Sequence, residues 1–210
     1  TFNSALIQIY EIFDKYLIKI FLGSTLMAVY SIPQQLTGKL TILSKSFSTF
    51  LLPNLSRNKN DQFIYSLELF LKYIPIFIFL LFPLYPYILK LWLNEQYSLL
   101  IHDLTKIFSL IAIFSCTSHI LITKFESAQL SNLNFRIEII FLPFFFISLI
   151  FLCFNSYSLI LISVLILLKE MIFIFCRLYL LKPKTNIKIL YLNLVIFPML
   201  LILSFTNMNL

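Results

Sequence analysis

Residues 135–154 read FRIEIIFLPFFFISLIFLCF, and after Arg136 and Glu138 nothing in the run carries a charge. A helix rises about 1.5 Å per residue and the hydrocarbon core of a bilayer is roughly 30 Å thick, so one run of this length matches one crossing. Six further stretches fit the same template: residues 4–22, 25–52, 66–91, 104–124, 158–181 and 187–205. They are too long and too uniformly apolar for the alternating strands of a membrane barrel. The chain is 60% hydrophobic and 12% charged. A soluble domain carries about 25% charged residues, and no soluble core could hide this much Leu, Ile and Phe. The expected fold is therefore all-α, a polytopic membrane helix bundle.

Turn residues separate the runs. Gly23-Ser24 closes the first, Pro53 and the polar string to Asp61 end the second, and Asn94-Glu95 opens the next loop. Asn132 and Asn134, Asn155-Ser156 and Lys182-Pro183-Lys184 mark the later breaks. The first residue is Thr1, with no signal-peptide pattern behind it, and the expectation is a piece of a longer protein.

The net charge of +7 is distributed by loop. Arg57, Lys59, Lys124, Arg136, Arg177, Lys182, Lys184 and Lys188 fall after the even-numbered spans. Lys90 and Lys106 alone fall after the odd ones, beside Glu95 and Asp103. That alternation follows the positive-inside rule and puts the even loops in the cytoplasm. A nucleic-acid patch would cluster the charge in one domain, so no nucleic-acid partner is expected.

Four charges interrupt the first span: Glu11, Asp14, Lys15 and Lys19. Each costs about 2.5–3.5 kcal/mol at mid-bilayer on insertion scales, so a partner or water must face them. Gln8, Glu11, Lys15 and Lys19 step by three, four and four, which makes one stripe, and Asp14 flanks it. The stripe reads as a wall of a water-filled cavity. The bland alternatives are an interfacial helix or mutual neutralisation.

The second span has two faces. Ile32, Leu36, Leu40, Leu43, Phe47 and Leu51 lie within an arc of about 100°. Opposite are Ser31, Gln34, Gly38, Thr41, Lys45 and Ser48, with Lys39 at the edge. Pro33 is the expected kink. An interfacial amphipathic helix is the alternative, but the tight Gly23-Ser24 link favours a crossing. Together the two spans form a hairpin with a cationic inner surface suited to a pyrophosphate or an acidic sugar.

Later spans are plainer. Lys169-Glu170 interrupts residues 158–181, and Glu170 shares a face with Arg177, which reads as a bridge between helices or a polar contact. His102 is placed in a loop. His119, among Ser115, Thr117, Ser118 and Thr123, reads as a packing hydrogen bond, with a proton relay as the alternative. Cys116, Cys153 and Cys176 form no CxxC pair and imply no disulfide framework. There is no phosphate-binding glycine loop, no HExxH, no GxSxG and no zinc spacing, so neither a cofactor nor a metal is expected.

Phe13-Asp14-Lys15-Tyr16-Leu17-Ile18, Leu22-Gly23, Ala28-Val29-Tyr30-Ser31-Ile32-Pro33, Lys39-Leu40 and Leu52-Pro53-Asn54-Leu55-Ser56 resemble the Wzx-like lipid-linked oligosaccharide flippases. These belong to the MOP exporter superfamily, which includes the MATE transporters. Leu91-Trp92-Leu93 and Tyr97 extend the likeness, with Asn94 where the family has Gly. It covers residues 12–97, and the rest only by hydropathy.

The resemblance implies a C-terminal six-helix transmembrane lobe of a MATE/MOP-like fold at residues 1–181. Residues 182–210 would add a basic loop and one extra hydrophobic segment. It implies a multi-pass protein of the bacterial cytoplasmic (inner) membrane, handling undecaprenyl-pyrophosphate-linked O-antigen or capsule units. Its partners would be that substrate, membrane lipids, the missing N-terminal half and polysaccharide polymerase machinery. Lys15, Lys19, Lys39, Lys45 and Gln34 would line the substrate cavity, and Glu11 and Asp14 would tune charge or carry a coupling ion. No catalytic residue is implied, and the chain is not expected to be an enzyme. The rivals are a polysaccharide polymerase or ligase, which needs a large loop, a MATE-type exporter, which favours an acidic cavity, and a structural membrane subunit.

Overall fold

The structure is a computed structural model that describes residues 2–56, 73, 84–94, 98–155 and 157–180, with backbone only for 2–11, 50–56, 85 and 86. The expected seventh segment, most of residues 66–91, and the loop charges Arg57, Lys59, Lys182, Lys184 and Lys188 lie outside it. Among the described residues every element is a helix: α1 (Phe2–Leu22), α2 (Ser24–Gly38), α3 (Thr41–Ser56), α4 (Tyr85–Leu93), α5 (Leu99–Ser127), α6 (Ser131–Phe154) and α7 (Leu159–Leu180). Three of them, α5, α6 and α7, are long and apolar enough to cross a membrane. Helix α1 has the length but carries the four charges already named.

On α1, Ile12, Tyr16 and Ile20 step by four and are exposed, while Asp14, Leu17 and Ile18 are buried. One face therefore suits lipid and the other packs inward. The chain then reverses at Gly23, whose φ of 95° and ψ of 166° lie in a region essentially reserved for glycine. Nothing lies within 4 Å of where a Cβ would sit. Replacing Gly23 with Ala should thus lower stability by about 1–3 kcal/mol through backbone strain alone. Thermal unfolding in detergent measures this, and an unshifted midpoint would mean the turn readily adopts another geometry.

The second expected span is not continuous. It breaks at Lys39-Leu40, not at Pro33, which is buried inside α2. Gly38 is a weak helix former, by about 1 kcal/mol against Ala. On either side, hydroxyls take backbone carbonyls: Thr37 Oγ1 donates to Pro33 O at 2.8 Å and Thr41 Oγ1 to Gly38 O at 2.7 Å. The amides turn to tighter bonding, Leu40 N–H to Thr37 O at 3.0 Å and Ile42 N–H to Lys39 O at 3.2 Å. The side chains thus compete with the helix ladder where it is weakest. Beyond the break, α3 runs past Pro53 to Ser56.

Helix α3 packs through small hydroxyl side chains. Ser44 and Ser48 are buried and Ile42 and Leu43 are exposed. Part of the polar face is used for packing, because small hydroxyl residues let α3 approach α5 closely. Cys116 Sγ of α5 reaches Leu40 O at 3.7 Å across this contact.

Helix α5 is the spine. Ser98 caps it by accepting from Ile101 N–H at 3.3 Å, so His102 lies in its first turn and not in a loop. It packs against α2, α3, α6 and α7, and α1 bridges α2 and α6. The helices thereby ring a core of Leu17, Ile18, Tyr30, Leu104, Phe108, Leu149 and Ile162. Short α4 buries Leu89 and leaves Tyr87, Leu91 and Trp92 exposed.

Candidate functional site

Asp14 sits on the inner face of α1 at 4% exposure. Its carboxylate accepts from Tyr30 Oη at 2.6 Å and Gln34 Nε2 at 3.2 Å, both on α2, and from the Lys15 amide at 2.7 Å. A buried carboxylate must be met by donors, and here the helical hairpin supplies them. Tyr30 is itself fully buried, with its ring edge-on to Phe108 of α5 at 5.2 Å. The Asp14–Tyr30 bond therefore fixes α1 to α2 and, through the ring, to the spine.

Above this latch lies a hollow of about 440 Å³. The hairpin side contributes Asp14, Lys15, Gln34 and Gln35, and the α2–α3 break contributes Lys39, Thr41, Ile42 and Lys45. Helix α5 adds Phe108, Ile111, Ser115 and His119, α6 adds Phe145, and α7 adds Ile166, Lys169 and Glu170. Asp14, Phe145 and Lys169 each lie near the middle of their helices. The hollow therefore lies midway along these helices, and the irregular Lys39-Leu40 turn borders it.

Five of the residues expected at a site line this hollow together: Asp14, Lys15, Gln34, Lys39 and Lys45. Lys19 does not. It is exposed, one turn and ~6 Å further along α1 than Lys15, which carries it past the hollow despite the shared stripe. The side chain of Glu11 lies outside the described residues. Lys169, expected as an interruption of its span, Glu170, expected as a bridge or polar contact, and His119, expected as a packing group, line the same hollow from α7 and α5. The available signal was the charged pair at the centre of an apolar run.

Lys39 and Lys45 make no ion pair with any described carboxylate. Lys169 pairs with Glu170 at 3.1 Å and lies over the rings of Phe145 and Phe173, 5.1 and 5.9 Å from their centroids. Four lysines thus border the hollow against two carboxylates, between apolar walls.

A second polar cluster lies away from it. Arg177, which the sequence places both among the loop charges and on a helix face suited to a bridge, is 2% exposed within α7. It pairs with Glu138 of α6 at 2.8 Å, donates to Asn134 Oδ1 at 2.7 Å and contacts Ser118 Oγ of α5. It holds three helices together and carries no orientation signal. Lys124 and Arg136 still flank the α5–α6 connection. Comparison with known proteins returns no matching family model, no matching curated protein and no matching solved structure.

Proposed function

We propose that the chain is part of a multi-pass flippase of a bacterial inner membrane, which turns an undecaprenyl-pyrophosphate-linked oligosaccharide from one leaflet to the other by alternating access. The observation that carries this reading is the hollow bordered by Lys15, Lys39, Lys45 and Lys169. An intramembrane lysine without a function is costly, and several around one cavity mark a path for an anion. At an effective dielectric constant of about 20, a unit anion 4 Å from one ammonium gains ~4 kcal/mol before desolvation is counted. Lysine meets phosphate as a point charge and imposes no bidentate geometry, which suits a headgroup that must move on. Asp14 then serves chiefly to hold the hairpin, with its oxygens already engaged by Tyr30 and Gln34.

The lysine excess disfavours a cation exporter, and a polymerase or ligase would need acid–base groups set around a reacting bond. The same reading keeps the N-terminal half of the protein and the polysaccharide polymerase machinery as partners. The test is complementation of a flippase-null strain by the full-length protein. Lys15→Ala, Lys39→Ala and Lys45→Ala should each reduce surface polysaccharide about tenfold, equivalent to ~1.4 kcal/mol of lost headgroup binding, and Lys19→Ala should leave it near normal. Normal polysaccharide from all three cavity variants, at matched expression, overturns the reading.

A further inference from the structure

The α7 wall of the hollow adds something the hairpin does not contain. We infer that Lys169 of α7 is a reserve anion ligand, held by Glu170 while the hollow is empty and released to an anionic group that enters it. The inference rests on the hollow being an anion site, as proposed above.

Lys169 borders the same hollow as Lys15 and lies close enough to Asp14 to act on it electrostatically. Its ammonium is already stabilised in the apolar interior by Glu170 at 3.1 Å and by the rings of Phe145 and Phe173. A lysine so placed has its ammonium met by groups of the protein itself and needs no solvent anion. Phe145 also lines the hollow, so a ligand entering there meets that ring and the ammonium together. Glu170 lies on the face of α7 that leads to Arg177, seven residues on, and Arg177 acts on it electrostatically. The carboxylate therefore keeps a cationic neighbour when Lys169 turns to the ligand. Lys169 and Glu170 are adjacent in sequence and about 100° apart around the helix, so their pairing bends both side chains together and is easily traded. Anion entry then exchanges one ion pair of Lys169 for another, while Glu170 keeps the longer-range influence of Arg177.

Opposite signs test the exchange. The full-length protein in detergent is titrated calorimetrically with inorganic pyrophosphate. Lys169→Met should weaken binding about tenfold, Lys169→Arg should keep it within about threefold, and Glu170→Gln, which frees the ammonium, should tighten it by about threefold or more. If the pair only braces α7, Glu170→Gln weakens binding or leaves it unchanged, and the inference falls. If Lys45→Ala weakens binding while Lys169→Met does not, Lys169 is no ligand but the anion site stands. If wild type fails to bind pyrophosphate, or Lys45→Ala and Lys15→Ala bind as wild type does, the anion site itself is gone and this inference goes with it. Should Lys169→Met fail to fold, the sign of the Glu170→Gln change decides.

Discussion

Arg177→Met is expected to lower stability by about 3–5 kcal/mol. Arg177 and Glu138 are each 2% exposed and 2.8 Å apart. Removing the guanidinium leaves the Glu138 carboxylate buried without its cation, and Asn134 Oδ1 and Ser118 Oγ lose a donor together. Three helices are affected at once, since these groups belong to α7, α6 and α5. The double variant Glu138→Leu/Arg177→Met removes both charges, and an apolar pair of similar volume often restores most of the loss. A double-mutant cycle read by thermal unfolding in detergent measures the coupling. If the single variant is no worse than the double, the pair is solvated and the buried-network account is wrong.

Arg177 also shows where reading the sequence reached its limit. It lies five residues before Lys182-Pro183-Lys184, and its helical register with Glu170 points to a bridge between helices without naming Glu138, 39 positions away, as the partner. The apolar runs of α5, α6 and α7 were legible because burying that much Leu, Ile and Phe leaves a chain few choices. The hairpin was legible from Gly23 and from the Asp14-Lys15 pair. The break at Lys39-Leu40 was not. Pro33 is the louder local signal, but it lies inside α2, and the actual break depends on Gly38 and the hydroxyls of Thr37 and Thr41 acting together. Helical periodicity put Lys15 and Lys19 on one stripe correctly but carries no information about depth along the axis, and depth separates the lysine in the hollow from the one outside. The centre of α7 announced Lys169-Glu170 as unusual without saying what faced it, since that depends on α1 and α6.

Asp14→Ala should cost about 3 kcal/mol, because two side-chain hydrogen bonds to a charged acceptor vanish and the buried Tyr30 hydroxyl is left without a partner. Asp14→Asn keeps an acceptor oxygen and should lose about half as much. Tyr30→Phe removes the shorter of the two side-chain bonds but leaves Gln34 and the Lys15 amide on the carboxylate, so it should fall near Asp14→Asn. Asp14→Ala combined with Tyr30→Phe should then cost clearly less than the two singles added, since both remove the same bond. On the flippase reading proposed above, transport follows from the same geometry. Lys15 is the residue after the latch, and freeing α1 from α2 moves its ammonium relative to Lys39 and Lys45. Polysaccharide export should therefore decline in step with stability along Asp14→Asn, Tyr30→Phe and Asp14→Ala. A coupling-ion ligand at Asp14 predicts a different pattern: export lost in Asp14→Asn at unchanged unfolding temperature, and Tyr30→Phe almost silent. That result would remove the latch and make the carboxylate itself part of the transport cycle.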